Sequence, residues 1–176
     1  MTTLVLTVLG DDRPGLVQAV SEPVEAVGGS WQRSQLTRLA GKFAGVVLVS
    51  VPEARVAELE SALPELETHG LEVRVERVAS APSDEAGRGE RLGLHLLGDD
   101  RPGIVAEISG VLAERGIGIE DMLTDVREAP MAGGMLFEVD ALLTLPAGED
   151  LEAVRAVLEE VAGELMVDLT LTAPGA

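Results

Sequence analysis

The sequence carries one chemically suggestive hexapeptide twice. Gly10-Asp11-Asp12-Arg13-Pro14-Gly15 recurs as Gly98-Asp99-Asp100-Arg101-Pro102-Gly103, 88 positions later. Each copy sets two adjacent carboxylates beside a guanidinium and leads through proline and glycine into an apolar pattern of helical period, beginning at Leu16 and Ile104. Unpaired N–H groups at a helix start carry partial positive charge, worth about 0.3–1 kcal/mol to a carboxylate at an exposed site. The aspartates offer partners for an ammonium group, so the turn as a whole is suited to a zwitterion. The same aspartates would also stabilise a helix start with no ligand present, and both readings stand at this level. Arg13 and Arg101 suit either a neighbouring aspartate or a carboxylate across an interface. As an acid/base pair, carboxylates adjacent to an arginine stay ionised, which argues against catalysis.

Other chemistry has little support in the residue types. The chain has two histidines and no cysteine or tyrosine. His69 precedes a glycine and is expected at a solvated helix end; His95 falls inside a strand, facing a neighbour. No histidine spacing fits a metal site, and no cofactor, metal or catalytic residue is expected. Glu149-Asp150 and Glu159-Glu160 read as solvated helix faces, and Trp31 as a core or interface anchor.

The elements that position the turns follow from the apolar pattern. Strands are expected over 4–9, 31–39, 43–51 and 71–78, with helices after Gly15 and from Val56 to Leu66. Ala40-Gly41-Lys42 turns the first hairpin. Pro14 and Pro102 are expected as first helical residues, and Pro23 and Pro64 should kink or shorten their helices. The order repeats with strands at 92–97, 117–127, 136–145 and 164–172 and helices at 103–115 and 149–161. The proline after the hairpin (Pro52, Pro146) recurs at a spacing of 94, so the second hairpin holds six extra residues, placed at 129–134. The period assigns one domain to residues 1–78 and another to 92–176, joined by the polar linker 79–91.

A strand–helix–strand–strand–helix–strand unit makes a four-stranded antiparallel sheet with both helices on one face, an α+β architecture. Its strands should alternate, but these do not. Phe43, Val47, Val49 and Val51 point one way while Ala44, Val46 and Leu48 point the other, and Leu136, Leu142, Leu143 and Leu145 also occupy both faces. The helix-free faces or edges therefore call for cover, and a homo-oligomer is expected.

Net charge is −18. Residues 1–78 hold 11 acids and 7 bases, whereas 92–176 hold 17 acids and 4 bases. That surface repels phosphates and anionic lipid, which excludes direct nucleic-acid and membrane binding. It leaves solubility alone or an acidic face for a basic protein partner. The absence of cysteine, of a signal-peptide pattern and of a span-length apolar run points to a soluble, cytoplasmic protein.

The repeated G-x-D-R-P-G-[LI]-V turn at the end of a first strand resembles the ACT domain. The tandem arrangement, with Leu39-Ala40-Gly41-Lys42-Phe43-Ala44-Gly45 in one hairpin and Ala129-Pro130-Met131 with Leu136-Phe137 in the other, is similar to the glycine cleavage system transcriptional repressor family. The resemblance implies two ferredoxin-like domains paired through their sheets. It implies a regulator that senses a small amino acid, such as glycine or serine, where a turn meets a neighbouring domain, and that represses through another protein. The ligand-binding residues implied are Gly10 to Leu16 with Ser30, and Gly98 to Ile104. Many ACT domains place Asn after the first helix to contact the ligand; here Ser30 and Gly118 stand there, so Ser30 could supply one hydrogen bond and Gly118 none. The alternative is an ACT-type module serving assembly alone.

Overall fold

The computed structural model describes residues 1–78, 89–129 and 133–172. Most of the linker, and Pro130 and Met131 of the second hairpin, lie outside the described residues. The chain forms two compact units, divided between Ser83 and Asp84. The first runs β1 (Thr2–Asp11), α1 (Leu16–Ala26), β2 (Ser30–Leu39), β3 (Lys42–Val51), α2 (Val56–Ala62) and β4 (Leu71–Arg77). The second runs β5 (Arg91–Asp99), α3 (Ile104–Glu114), β6 (Gly118–Glu128), β7 (Met135–Thr144), α4 (Leu151–Leu165) and β8 (Val167–Thr172). Each is a four-stranded antiparallel sheet, ordered β2-β3-β1-β4 and β6-β7-β5-β8. The two units are thus α+β and ferredoxin-like.

Alternation along the central strands builds each core. Leu4, Leu6 and Val8 of β1 are buried, as are Leu92, Leu94 and Leu96 of β5. The first helix of each unit meets this face at a spacing of four: Leu16, Val20 and Val24 of α1, and Ile104, Ile108 and Leu112 of α3. Side chains four apart on a helix share a face. Burying one such leucine or valine contributes about 1.5–3 kcal/mol, so the strand–helix joint is held from both sides.

Several boundaries differ from the sequence expectation. Pro14 and Pro102 are not helical: each helix starts two residues later, after Gly15 (φ 92°) and Gly103 (φ 104°). A left-handed residue cannot belong to a right-handed helix, so the glycine and not the proline sets the first turn. Pro23 leaves α1 unshortened, at 11 residues like α3. Pro64 does act: α2 ends at Ala62 and the chain tightens into a 3-10 segment, Leu63–His69. The last helix runs past Val161 to Leu165 because Ala162 and Leu165 continue the buried stripe of Val154 and Leu158. Strand β8 therefore begins at Val167 and not at 164. Asp150 is its N-cap, accepting from the Glu152 N–H at 3.0 Å, and Glu149 pairs with Arg115 at 3.1 Å. Those two acids cap and tie the helix instead of lying on a solvated face.

Apolar side chains do occupy both faces of the first sheet. Val47, Val49 and Val51 are fully buried under the helices, while Val46 on the opposite face is 44% exposed and Leu9 beside it 48%. In the second unit the exposed apolar residues concentrate on the edge strand β6. Ile119, Met122 and Val126 lie on its helix-side face and are 40–43% exposed.

Candidate functional site: two glycine turns at helix starts

The hexapeptide closes a three-strand crossing in both units. Gly10 lies between Phe43 of β3 and Leu71 of β4, so close that a Cβ there would meet the Gly70 carbonyl oxygen at 2.6 Å. Gly98 is squeezed the same way by Val167, at 2.4 Å. These glycines permit the close approach that fixes where each turn leaves the sheet. The Asp12 N–H donates to the Gly41 carbonyl (2.9 Å) and the Asp100 N–H to the Met135 carbonyl (2.8 Å), pinning each turn to the neighbouring hairpin.

The helix starts face open space. Neither α1 nor α3 has a side-chain cap, and a Cβ on Gly15 would meet nothing within 4 Å. The first turn of α1 contains no acid, leaving the positive end of the helix unneutralised. The α3 start differs, since Glu107 lies in its first turn with Oε1 3.3 Å from where a Gly103 Cβ would stand.

The flanking charges differ even more between the copies. In the first turn Asp11 pairs with Lys42, and Asp12 with Arg38 at 3.3 Å. The Lys42 ammonium, by hydrogen bond and by charge, holds the Asp11 carboxyl below its ordinary 3.8. The corresponding cross-strand positions of the second unit are Leu136 and Val126. Asp99 and Asp100 accordingly have no ion pair among the described residues. Arg13 donates to the His69 carbonyl at 2.8 Å and not to the neighbouring Asp11 or Asp12. Arg101 keeps an enclosed Nη2 with no hydrogen-bond partner among the described residues.

Within one unit, Ser30 does not join the turn. It sits opposite Ser50, which pairs with Thr3, seven residues down β1 from Gly10. At ~3.3 Å per residue that is roughly 23 Å, the length of the sheet. Gly118 stands equally far from Gly98, opposite Thr144 and Arg91. Trp31, next to Ser30, packs on the first core. His69 ends the 3-10 segment and is exposed, its Nδ1 3.3 Å from the Glu65 carbonyl.

One cluster escaped the sequence reading. His95 on β5 lies directly across from Asp140 on β7, with Glu138 two residues further along the same face. The signal was cross-strand register, which a search for spacing along the chain does not detect.

A ferredoxin-like α+β unit with a glycine turn between its first strand and first helix is present twice, which defines a tandem two-module protein. Residues 2–76 and 90–172 both match the ACT domain, and the chain belongs to that family. It is similar to the glycine cleavage system transcriptional repressor of Escherichia coli (strain K12), 36% identical over 61 residues. That alignment covers 35% of this chain and 32% of the relative, and the repressor of Shigella flexneri matches equally well. The chain thus aligns with about a third of the length of these curated relatives. A solved protein of unknown function from Galdieria sulphuraria matches with a TM-score of 0.79 and 30% identity over 98% of both chains. A structure assigned to the glycine cleavage system transcriptional repressors shares the fold, with a TM-score of 0.69 at 21% identity, covering 97% of this chain and 96% of that one.

Proposed function

We propose that this tandem ACT protein is a non-enzymatic, cytoplasmic regulator that senses a small amino acid such as glycine or serine and acts through a protein partner. The observation that carries this reading is the start of α1. Its N–H groups are uncapped, its approach is open above Gly15, and no acid neutralises it. A ligand carboxylate sits at the N–H groups of Gly15 and Leu16, and its ammonium turns toward Asp11 or Asp12. Ser30 is too distant to help within its own unit, so any contact it makes with a turn comes from another unit, of this chain or of a second copy. That arrangement joins sensing to assembly. The repressors to which the chain is similar support a regulatory role, and the net charge of −18 supports an effect exerted through protein rather than nucleic acid.

The second turn is a weaker carboxylate site because Glu107 lies in the first turn of α3. One observation favours the alternative of a ligand-free assembly module: Lys42 and Arg38 already satisfy Asp11 and Asp12. Backbone amide NMR with millimolar glycine or serine separates the two. Sensing moves the amides of Gly15 and Leu16 saturably, and Gly15→Asn, whose side chain tolerates the left-handed backbone, removes the response with the rest of the spectrum unchanged. Ligand-free assembly leaves those amides still.

A further inference from the structure

We infer that His95, Glu138 and Asp140 form a divalent transition-metal site on the helix-free face of the second sheet. One ring nitrogen and one carboxylate oxygen from each acid lie within 4.8 Å of one another. His95 Nδ1 is 2.9 Å from Asp140 Oδ1, and its Nε2 is 3.8 Å from Glu138 Oε1. Ligands at ~2.0–2.2 Å from a shared ion stand roughly 3–3.5 Å apart. The ion takes a single ring nitrogen, so side-chain rotation must turn both carboxylates toward that one nitrogen from a set that already lies within 4.8 Å.

Three features build the site beyond a chance grouping of acids. Its donors stand on adjacent, hydrogen-bonded central strands, β5 and β7. Arg127 Nη2 holds the other Glu138 oxygen, Oε2, at 3.1 Å, which leaves Oε1 aimed toward the imidazole. Such outer partners orient ligating carboxylates. Beside His95 an open hollow lined by Gly93, Asp121, Leu123, Leu142 and Thr172 leaves room for water ligands.

The duplication supplies an internal contrast. In the first unit Thr7 occupies the position of His95, with Val46 opposite it and Ala44 in the place of Glu138. The same backbone carries an apolar face in one copy and a nitrogen–oxygen–oxygen ligand set in the other. One imidazole and two carboxylates suit Zn²⁺, Co²⁺ or Ni²⁺ better than Mg²⁺, which prefers oxygen and retains its waters.

The test uses the full chain without an affinity tag, in physiological salt with millimolar Mg²⁺ to suppress diffuse binding to its acidic surface. Zn²⁺ titration by calorimetry is expected to show one site per chain. His95→Asn, Glu138→Gln and Asp140→Asn should each weaken it by at least the about tenfold that loss of an outer-shell partner costs. A second readout needs no variant, because the chain has only two histidines. Substoichiometric Co²⁺ should broaden the ring signals of His95 and leave those of His69 sharp. No saturable uptake, equal broadening of both histidines, or undiminished binding by the His95→Asn protein would overturn the site; the pairs around His95 would then be ordinary ion pairs.

Discussion

Asp11 shows how one cross-strand neighbour decides what a repeated motif can do. Its pKa is lowered first by the hydrogen bond from Lys42 and then by that residue's charge. A carboxyl whose folded value lies below its unfolded one favours the folded chain above about pH 3.8, and that contribution fades as pH falls through the lowered value. Lys42→Ala should return the Asp11 titration toward 3.8, followed by side-chain carbonyl NMR; an unchanged titration would contradict the pairing. In the second copy Leu136 occupies the matching place, so Asp99 has no comparable partner among the described residues. The hexapeptide itself was legible in the sequence, including the open approach at Gly15, but the steric need for Gly10 came only with the close packing of Gly70 and Leu71 against it. What surrounds it was not. Lys42, Arg38 and Glu107 act on the turns through strand register and helix periodicity, and His69 meets Arg13 through a backbone carbonyl that no residue pattern encodes.

At the scale of elements, the period-two and period-four burial of β1, β5, α1 and α3 was readable because each follows one apolar stripe. The ends were harder, since they depend on single backbone conformations. The end of α4 is the clearest case. Met166 leaves that helix in the left-handed region (φ 52°, ψ 45°) with 78% of its surface exposed, where the first unit uses Gly70 (φ 72°). A non-glycine residue pays roughly 1–2 kcal/mol for that conformation, and the exposed thioether recovers little by packing. Met166→Gly should therefore stabilise the second unit, by about 0.5–1 kcal/mol after the entropy cost of glycine. Urea unfolding followed by the amides of β8 measures it, and a destabilised variant would show that Met166 is packed in the assembled protein. Pro23 and Pro64 make the same point in reverse. The two prolines look alike in sequence, but only Pro64 ends an α-helix, because buried Leu63 and Leu71 tie the tighter 3-10 path to the sheet.

At the scale of the whole molecule, apolar residues lie exposed beyond each core. Val46 and Leu9 on the helix-free face of the first sheet, and Ile119, Met122 and Val126 on the edge of the second, are surfaces that pairing would cover. Light scattering at micromolar concentration should give more than one chain per particle, and Val46→Lys should shift the population toward single chains. A parent protein that is strictly monomeric would contradict pairing between chains. The measurement that bears most directly on the sensing role is thermal unfolding of the intact protein with and without small amino acids. A ligand bound only by the folded state stabilises it by RT ln(1 + [L]/Kd), about 2.7 kcal/mol at a hundredfold excess over Kd. Millimolar glycine or serine is expected to raise the unfolding temperature saturably, with Gly15→Asn, shown first to keep the unliganded fold, losing most of the shift and Gly103→Asn losing little. If no common amino acid raises it, the turns are structural and the protein works by assembly alone.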